Sequence, residues 1–411
     1  MKRAAVLKYK YIIISAGAIM AMSALVIVSV GQHFSANQKE YGKTIARTCR
    51  DLAEEAKSRC WGEMLQSLFE GEGADTAFRA IAYLYAADPN FPQSCYAITR
   101  SLGSWAAQRF PAYELITITP STIFCNYGFY HQFAETLLRT TADLKKAREF
   151  CAWSGRALSQ EAPGVRPECY RGLGRGTVHF KVADPENERE IVNSALKRCK
   201  VLAETEAERD ICVSGLFNRF SDANWRSKRG LAVKKEDPLW ICREQEKHHQ
   251  PHCYGNMHRL LLDLVEKKSD LSAVAALAKK IYGGSDPATS SVIQFFSHSR
   301  AITNLTQTDH SGHVRLCRTL AKNLWLPCLQ GYSVGLAKNG KPGEQYVAML
   351  RFCLQPTLSK EEQTGCLQVA LPYLRGLYPQ EKFMDICSAV GRKQKEFCSQ
   401  ELKRSLSIIY Y

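Results

Sequence analysis

Apolar residues recur at helical spacing along most of this 411-residue chain, and strand-like alternation is scarce. Ile191, Ala195 and Leu196 precede Cys199, and Val347 and Leu350 precede Cys353. Residues that can open a helix stand ahead of several such segments, at Asp184-Pro185, Asp237-Pro238 and Pro342. Thr205-x-x-Glu208 and Ser359-x-x-Glu362 have the form of capping boxes, in which hydroxyl and carboxylate each accept from a free backbone N–H. Ser269-Asp270 opens the run LSAVAALAKKI, Gly283-Gly284 break the chain, and Asp286-Pro287 start another helix. The pattern predicts an all-α chain of helical hairpins. One stretch, Glu114 to Phe124 (ELITITPSTIF), is β-like.

The N-terminus follows another pattern. Lys2, Arg3, Lys8 and Lys10 precede a charge-free run from Tyr11 to Val30. A twenty-residue helix is about 30 Å long, the thickness of a bilayer's hydrocarbon core. Basic residues in front of it place the N-terminus in the cytoplasm. The expected organisation is a cytoplasmic tip (1–10), a transmembrane signal-anchor helix (11–30), a linker (31–44) and an extracytoplasmic helical domain (45–411). A cleaved signal peptide is the rival, but its apolar run is usually about 7–15 residues and ends at an A-x-A-like site.

The domain is punctuated by sixteen cysteines: Cys49, Cys60, Cys95, Cys125, Cys151, Cys169, Cys199, Cys212, Cys242, Cys253, Cys317, Cys328, Cys353, Cys366, Cys387 and Cys398. All lie beyond the apolar run, which fits an oxidising compartment. Taken as consecutive pairs, six of eight separations are 11 or 13 residues, and the other two are 30 and 18. An uninterrupted eleven-residue helix spans about 16 Å, too far for a disulfide, whereas two antiparallel helices bring such positions side by side. Cys49 to Cys60 has no Gly or Pro between its cysteines and reads equally as one long helix. The 95–125 pair implies a long loop, and the partners of these four cysteines stay open.

The second cysteines at 125, 169, 212 and 253 recur every 44, 43 and 41 residues, the mark of a repeat array. A Gly follows three residues later at Gly128, Gly172, Gly215 and Gly331, and then a large apolar residue, Phe129, Leu173, Leu216 or Tyr332. Such a column suits helices whose backbones approach closely. The 75 residues between Cys253 and Cys328 accommodate one unit without a staple. In its paired helices this arrangement resembles the tetratricopeptide-like class of helical repeats, in a disulfide-stapled, exported form, although its period is longer than the roughly 34 residues usual there and that class's consensus is not matched residue by residue. The resemblance implies an α-solenoid and a tendency to bind proteins or peptides, and it carries over no site residue.

Lys and Arg number 55 against 40 Asp and Glu, a formal charge of +15, which favours acidic surfaces as partners. No CxxC, CxxCH, HExxH, GxSxG or phosphate-loop motif occurs, so neither a cofactor nor a common hydrolase chemistry is implied. His131, Arg175 and Asn218 share the position six residues after the second Cys and form a polar column, either lining a concave surface or satisfying loop carbonyls. Arg226, Lys228 and Arg229 belong to a basic run around Trp225 that suits lipid phosphates or an acidic polymer, or is a solvated loop. His248, His249, His252 and His258 are weak candidates for a Zn²⁺, Cu²⁺ or Ni²⁺ site. The expected function is a membrane-anchored module, not an enzyme. It would bind or scaffold another envelope protein or an anionic envelope polymer, with the bilayer as partner of residues 11–30 and nucleic acid excluded by export. The alternatives are an envelope enzyme acting on an anionic polymer, centred on His131 or acids of the 95–125 loop, and a His-rich metal-binding protein.

Overall fold

The computed structural model describes residues 40–110, 112–265, 270–283, 287–305, 307, 309–390, 398–400 and 402. The expected anchor at 11–30, the cytoplasmic tip and most of the linker lie outside these residues. Among the described residues no helix is long and apolar enough to cross a membrane, and every regular element is helical.

The N-terminal part holds α1 (40–48), α2 (Glu54–Glu72), α3 (Ala74–Ala87), α4 (Phe91–Arg109) and α5 (Gly128–Thr141). Hairpins follow: α6 (Leu144–Ala157) with α7 (Val165–Thr177), and α8 (Glu188–Leu202) with α9 (Glu206–Phe220). A short α10 (Ala223–Ser227) leads to α11 (Trp240–Arg243) with α12 (Gln250–Leu262). The Cys-free unit is α13 (Leu271–Tyr282) with α14 (Pro287–Thr303). Then come α15 (Ser311–Arg318) with α16 (Trp325–Asn339), α17 (Gln345–Cys353) with α18 (Lys360–Leu377), and α19 (Gln380–Ser388). Both capping boxes form, at Thr205 and Ser359, and Asp270 caps α13. The Asp184-Pro185 signal falls short of a helix start: α8 is capped three residues later by Asn187, whose side chain accepts from the Glu190 N–H.

All eight consecutive cysteine pairs are disulfide-bonded. Cys49 and Cys60 are not in one helix. The chain leaves α1 at Cys49 and re-enters helix only after Ala53, which is extended, and this brings the two Cα atoms to 5.9 Å. The β-like stretch forms two 3₁₀ turns, Tyr113–Leu115 and Pro120–Ile123, because its apolar residues pack singly under a long connection with no strand to pair against.

Each hairpin's second helix packs on the next one's, so α4, α5, α7, α9, α12, α14, α16 and α18 make one continuous inner row. The glycine column sets its spacing. A Cβ on Gly172 would lie 2.5 Å from the His131 carbonyl oxygen, on Gly215 1.9 Å from that of Arg171, and on Gly331 1.8 Å from that of Gln294. Only hydrogen fits there. The row bends until its ends meet: α14 packs on α4, and the Tyr85 hydroxyl donates to the Asn339 carbonyl. The Gly376 carbonyl accepts from the Tyr127 hydroxyl at 2.7 Å and the Gly164 N–H at 2.9 Å. The solenoid is closed on itself, and its concave face becomes the wall of a lumen.

Candidate functional site

The lumen encloses a cavity of about 250 Å³, many times what a single water requires. Residues from α4, α5, α7, α9, α12, α14 and α16 reach it, so the site exists only in the closed ring. On α7, Glu168, Arg171 and Arg175 are three and four residues apart and share one face. Asn126 enters from a turn in which Cys125, Asn126 and Tyr127 all have φ between 55° and 58°. Left-handed backbone costs about 1–2 kcal/mol per non-glycine residue. Here the Cys95–Cys125 bond and the Tyr127 contact with Gly376 hold the turn in place.

Two buried carboxylates organise the charge. Glu135, 1% exposed, lies behind the wall, 2.7 Å from Arg175 Nε, 3.2 Å from Arg219 Nε, 3.3 Å from His179 Nε2 and 3.8 Å from Arg100 Nη2. Burial alone would raise its pKa; Arg175 first, then His179, Arg219 and Arg100, hold it far below the ordinary carboxylate range. Glu168 lies 2.7 Å from His131 Nε2 and 3.1 Å from Arg171 Nε, and these partners outweigh burial and bring it down to about 2. Burial drives His131 down to about 4 against the pull of Glu168. At neutral pH the ring is therefore uncharged. Nε2–H donates to Glu168, and Nδ1 accepts from the Tyr96 hydroxyl at 3.0 Å.

Opposite stand His258, His298 and Lys338. Burial and neighbouring Arg259 lower His258 to about 3, and its ring stacks on Phe295 at 4.5 Å. His298 is also driven well below its ordinary value, by burial and Lys338, and its Nε2 is buried without a hydrogen-bond partner. Burial and Arg171 bring Lys338 down to about 7, so its charge is poised near neutrality. The cavity lining includes four arginines (Arg100, Arg171, Arg175 and Arg259) and the partly charged Lys338 against two acids (Glu168 and Asp222), with Glu135 behind the wall answering Arg175 and Arg100. That imbalance, inside low-dielectric walls, favours an anion.

The polar column converges on this lumen. His131, Arg175 and Asn218 all line it, and Arg175 donates to the Asn218 side-chain carbonyl. The basic run lies elsewhere. Arg226 is buried, paired with Glu188 and donating to the Ala232 carbonyl; Arg229 sits 4.6 Å over the Trp225 ring; Lys228 is exposed. The histidine cluster is divided: His258 faces the lumen, His252 bonds Ser214 Oγ at 2.9 Å, and His248 and His249 lie in the turn before α12 with ring centroids 3.9 Å apart and planes tilted by 48°. Sequence reasoning missed Tyr96, Arg100, Glu168, Arg171, His298 and Lys338. Arg259 carried a signal, because it stands six residues after Cys253 and so continues the column.

Comparison with protein families, curated proteins and solved structures finds no match to this chain.

Proposed function

We propose that this chain is an extracytoplasmic helical-repeat binding module whose closed lumen receives an anionic group presented by an envelope protein or polymer. The cationic surplus of the lumen wall is the observation that carries the reading. The cavity's size favours one side chain, chain end or polymer substituent over a folded surface. Membrane anchorage through residues 11–30 and export rest on the sequence pattern, and the eight disulfides support an oxidising compartment.

The test is calorimetric titration of the full chain with inorganic phosphate and with a short oligoglutamate peptide. Binding of at least one, weakened tenfold or more in Lys338→Met, is the expected result. No binding of either, or unchanged affinity in the variant, overturns it.

A second reading, an enzyme acting on an anionic polymer, is favoured by the Tyr96–His131–Glu168 chain. A neutral imidazole held between a hydroxyl and a carboxylate is the usual form of an acid–base relay. Processing of envelope polymer that disappears in His131→Gln, with fold retained, would select it.

A further inference from the structure

The turn before α12 is not used by the lumen. Glu246, His248 and His249 occupy it, and their donor atoms lie within 4.8 Å of one another. The backbone draws them together: the His249 N–H donates to the Glu246 carbonyl at 2.8 Å, and His248 Nδ1 stands 3.5 Å from Glu246 Oε2. His249 is only 8% exposed, yet its Nε2 is buried with no hydrogen-bond partner. Burying a polar nitrogen unsatisfied costs about 1–3 kcal/mol. Asp210 comes from α9, 4.0 Å from His252 Nε2, and its Oδ1 is likewise buried without a partner. Arg209, whose charge acts on both His249 and Asp210, is directed to Glu206 at 3.3 Å.

We propose that Glu246, His248 and His249 bind one borderline divalent transition-metal ion. Two imidazoles and carboxylate oxygens are the ligand set of Zn²⁺, Ni²⁺ and Cu²⁺. Bonds of about 2.0–2.2 Å place tetrahedral donors roughly 3.3–3.6 Å apart, a spacing that His248 and Glu246 already have at 3.5 Å and that the trio, within 4.8 Å, reaches by small movements. Those movements are rotations of Glu246 and His248, whose side chains are 77% and 44% exposed. Ligation would satisfy His249 and fix the α11–α12 turn. His258, in the lumen wall, takes no part.

The probe is Zn²⁺ on the untagged full chain, with bound metal measured by mass spectrometry after dialysis and affinity by competition with a chromophoric chelator. One equivalent per chain is expected, retained in Lys247→Ala and weakened tenfold or more in His248→Ala, Glu246→Gln and His249→Ala. His248 is exposed, so its variant stays informative if His249→Ala misfolds. No bound zinc in the parent chain, or undiminished affinity in His248→Ala and Glu246→Gln, overturns the assignment. Anion titration of the same samples reports on the lumen independently.

Discussion

Glu135 is the residue on which most of the buried charge depends. Remove its charge and Arg175, 3% exposed, keeps its own, losing the carboxylate at 2.7 Å and retaining only the weaker pull of Asp222. Breaking a buried ion pair from one side costs about 3–5 kcal/mol. Glu135→Gln should therefore lower unfolding stability by about that much in denaturant titration; a loss below about 1 kcal/mol would refute the role. The histidines make stability depend on pH. In the unfolded chain they protonate near 6.5, but the folded His131 does so only near 4 and His258 and His313 near 3. Below about pH 6.5 the unfolded state binds more protons, so stability falls from there towards the folded values. Glu168 adds a second loss between its ordinary 4.5 and about 2. The melting temperature should already decline between pH 7 and 5, above the carboxylate range, and a flat profile there would contradict the assignment. Of the site residues, His131, Arg175 and Asn218 were legible because they repeat in one register. Tyr96, Glu168 and Lys338 each occur once, and only three-dimensional closure brings them to the same space.

At the scale of the helices, sequence predicted the hairpins well because each carries local instructions: apolar spacing, a cap and a staple. Thr205 and Ser359 open α9 and α18 as their capping boxes require. The break at Cys49 was not legible, since no Gly or Pro marks it and the bond to Cys60 is a tertiary constraint. The glycine column offers a test of packing against propensity. Alanine is favoured over glycine by about 1 kcal/mol inside a helix. At Gly215 the added Cβ would sit 1.9 Å from a backbone oxygen of α7, and the backbone cannot yield without parting the helices. Overpacking typically costs about 1–3 kcal/mol. Gly215→Ala should be destabilising on balance, measured by thermal or chemical unfolding. A neutral or stabilised variant would mean that α7 and α9 are not in direct backbone contact.

For the whole molecule, the period predicted a repeat array but not its curvature. Closure depends on a few contacts between distant units, such as Tyr127 with Gly376, which no local pattern announces. Curvature converts an expected open concave face into a lumen, which is why the proposed ligand is a single anionic group and not an extended partner. Consecutive cysteines clamp the hairpins, all but the Cys-free α13–α14, and each closed loop adds about 2–4 kcal/mol to what so small a unit gains by burial. Peptide mapping by mass spectrometry of the native, non-reduced protein tests this most directly. Eight linkages are expected, 49–60, 95–125, 151–169, 199–212, 242–253, 317–328, 353–366 and 387–398, with no free thiol. Crossed linkages between units, or free cysteines in the folded chain, would contradict this pairing.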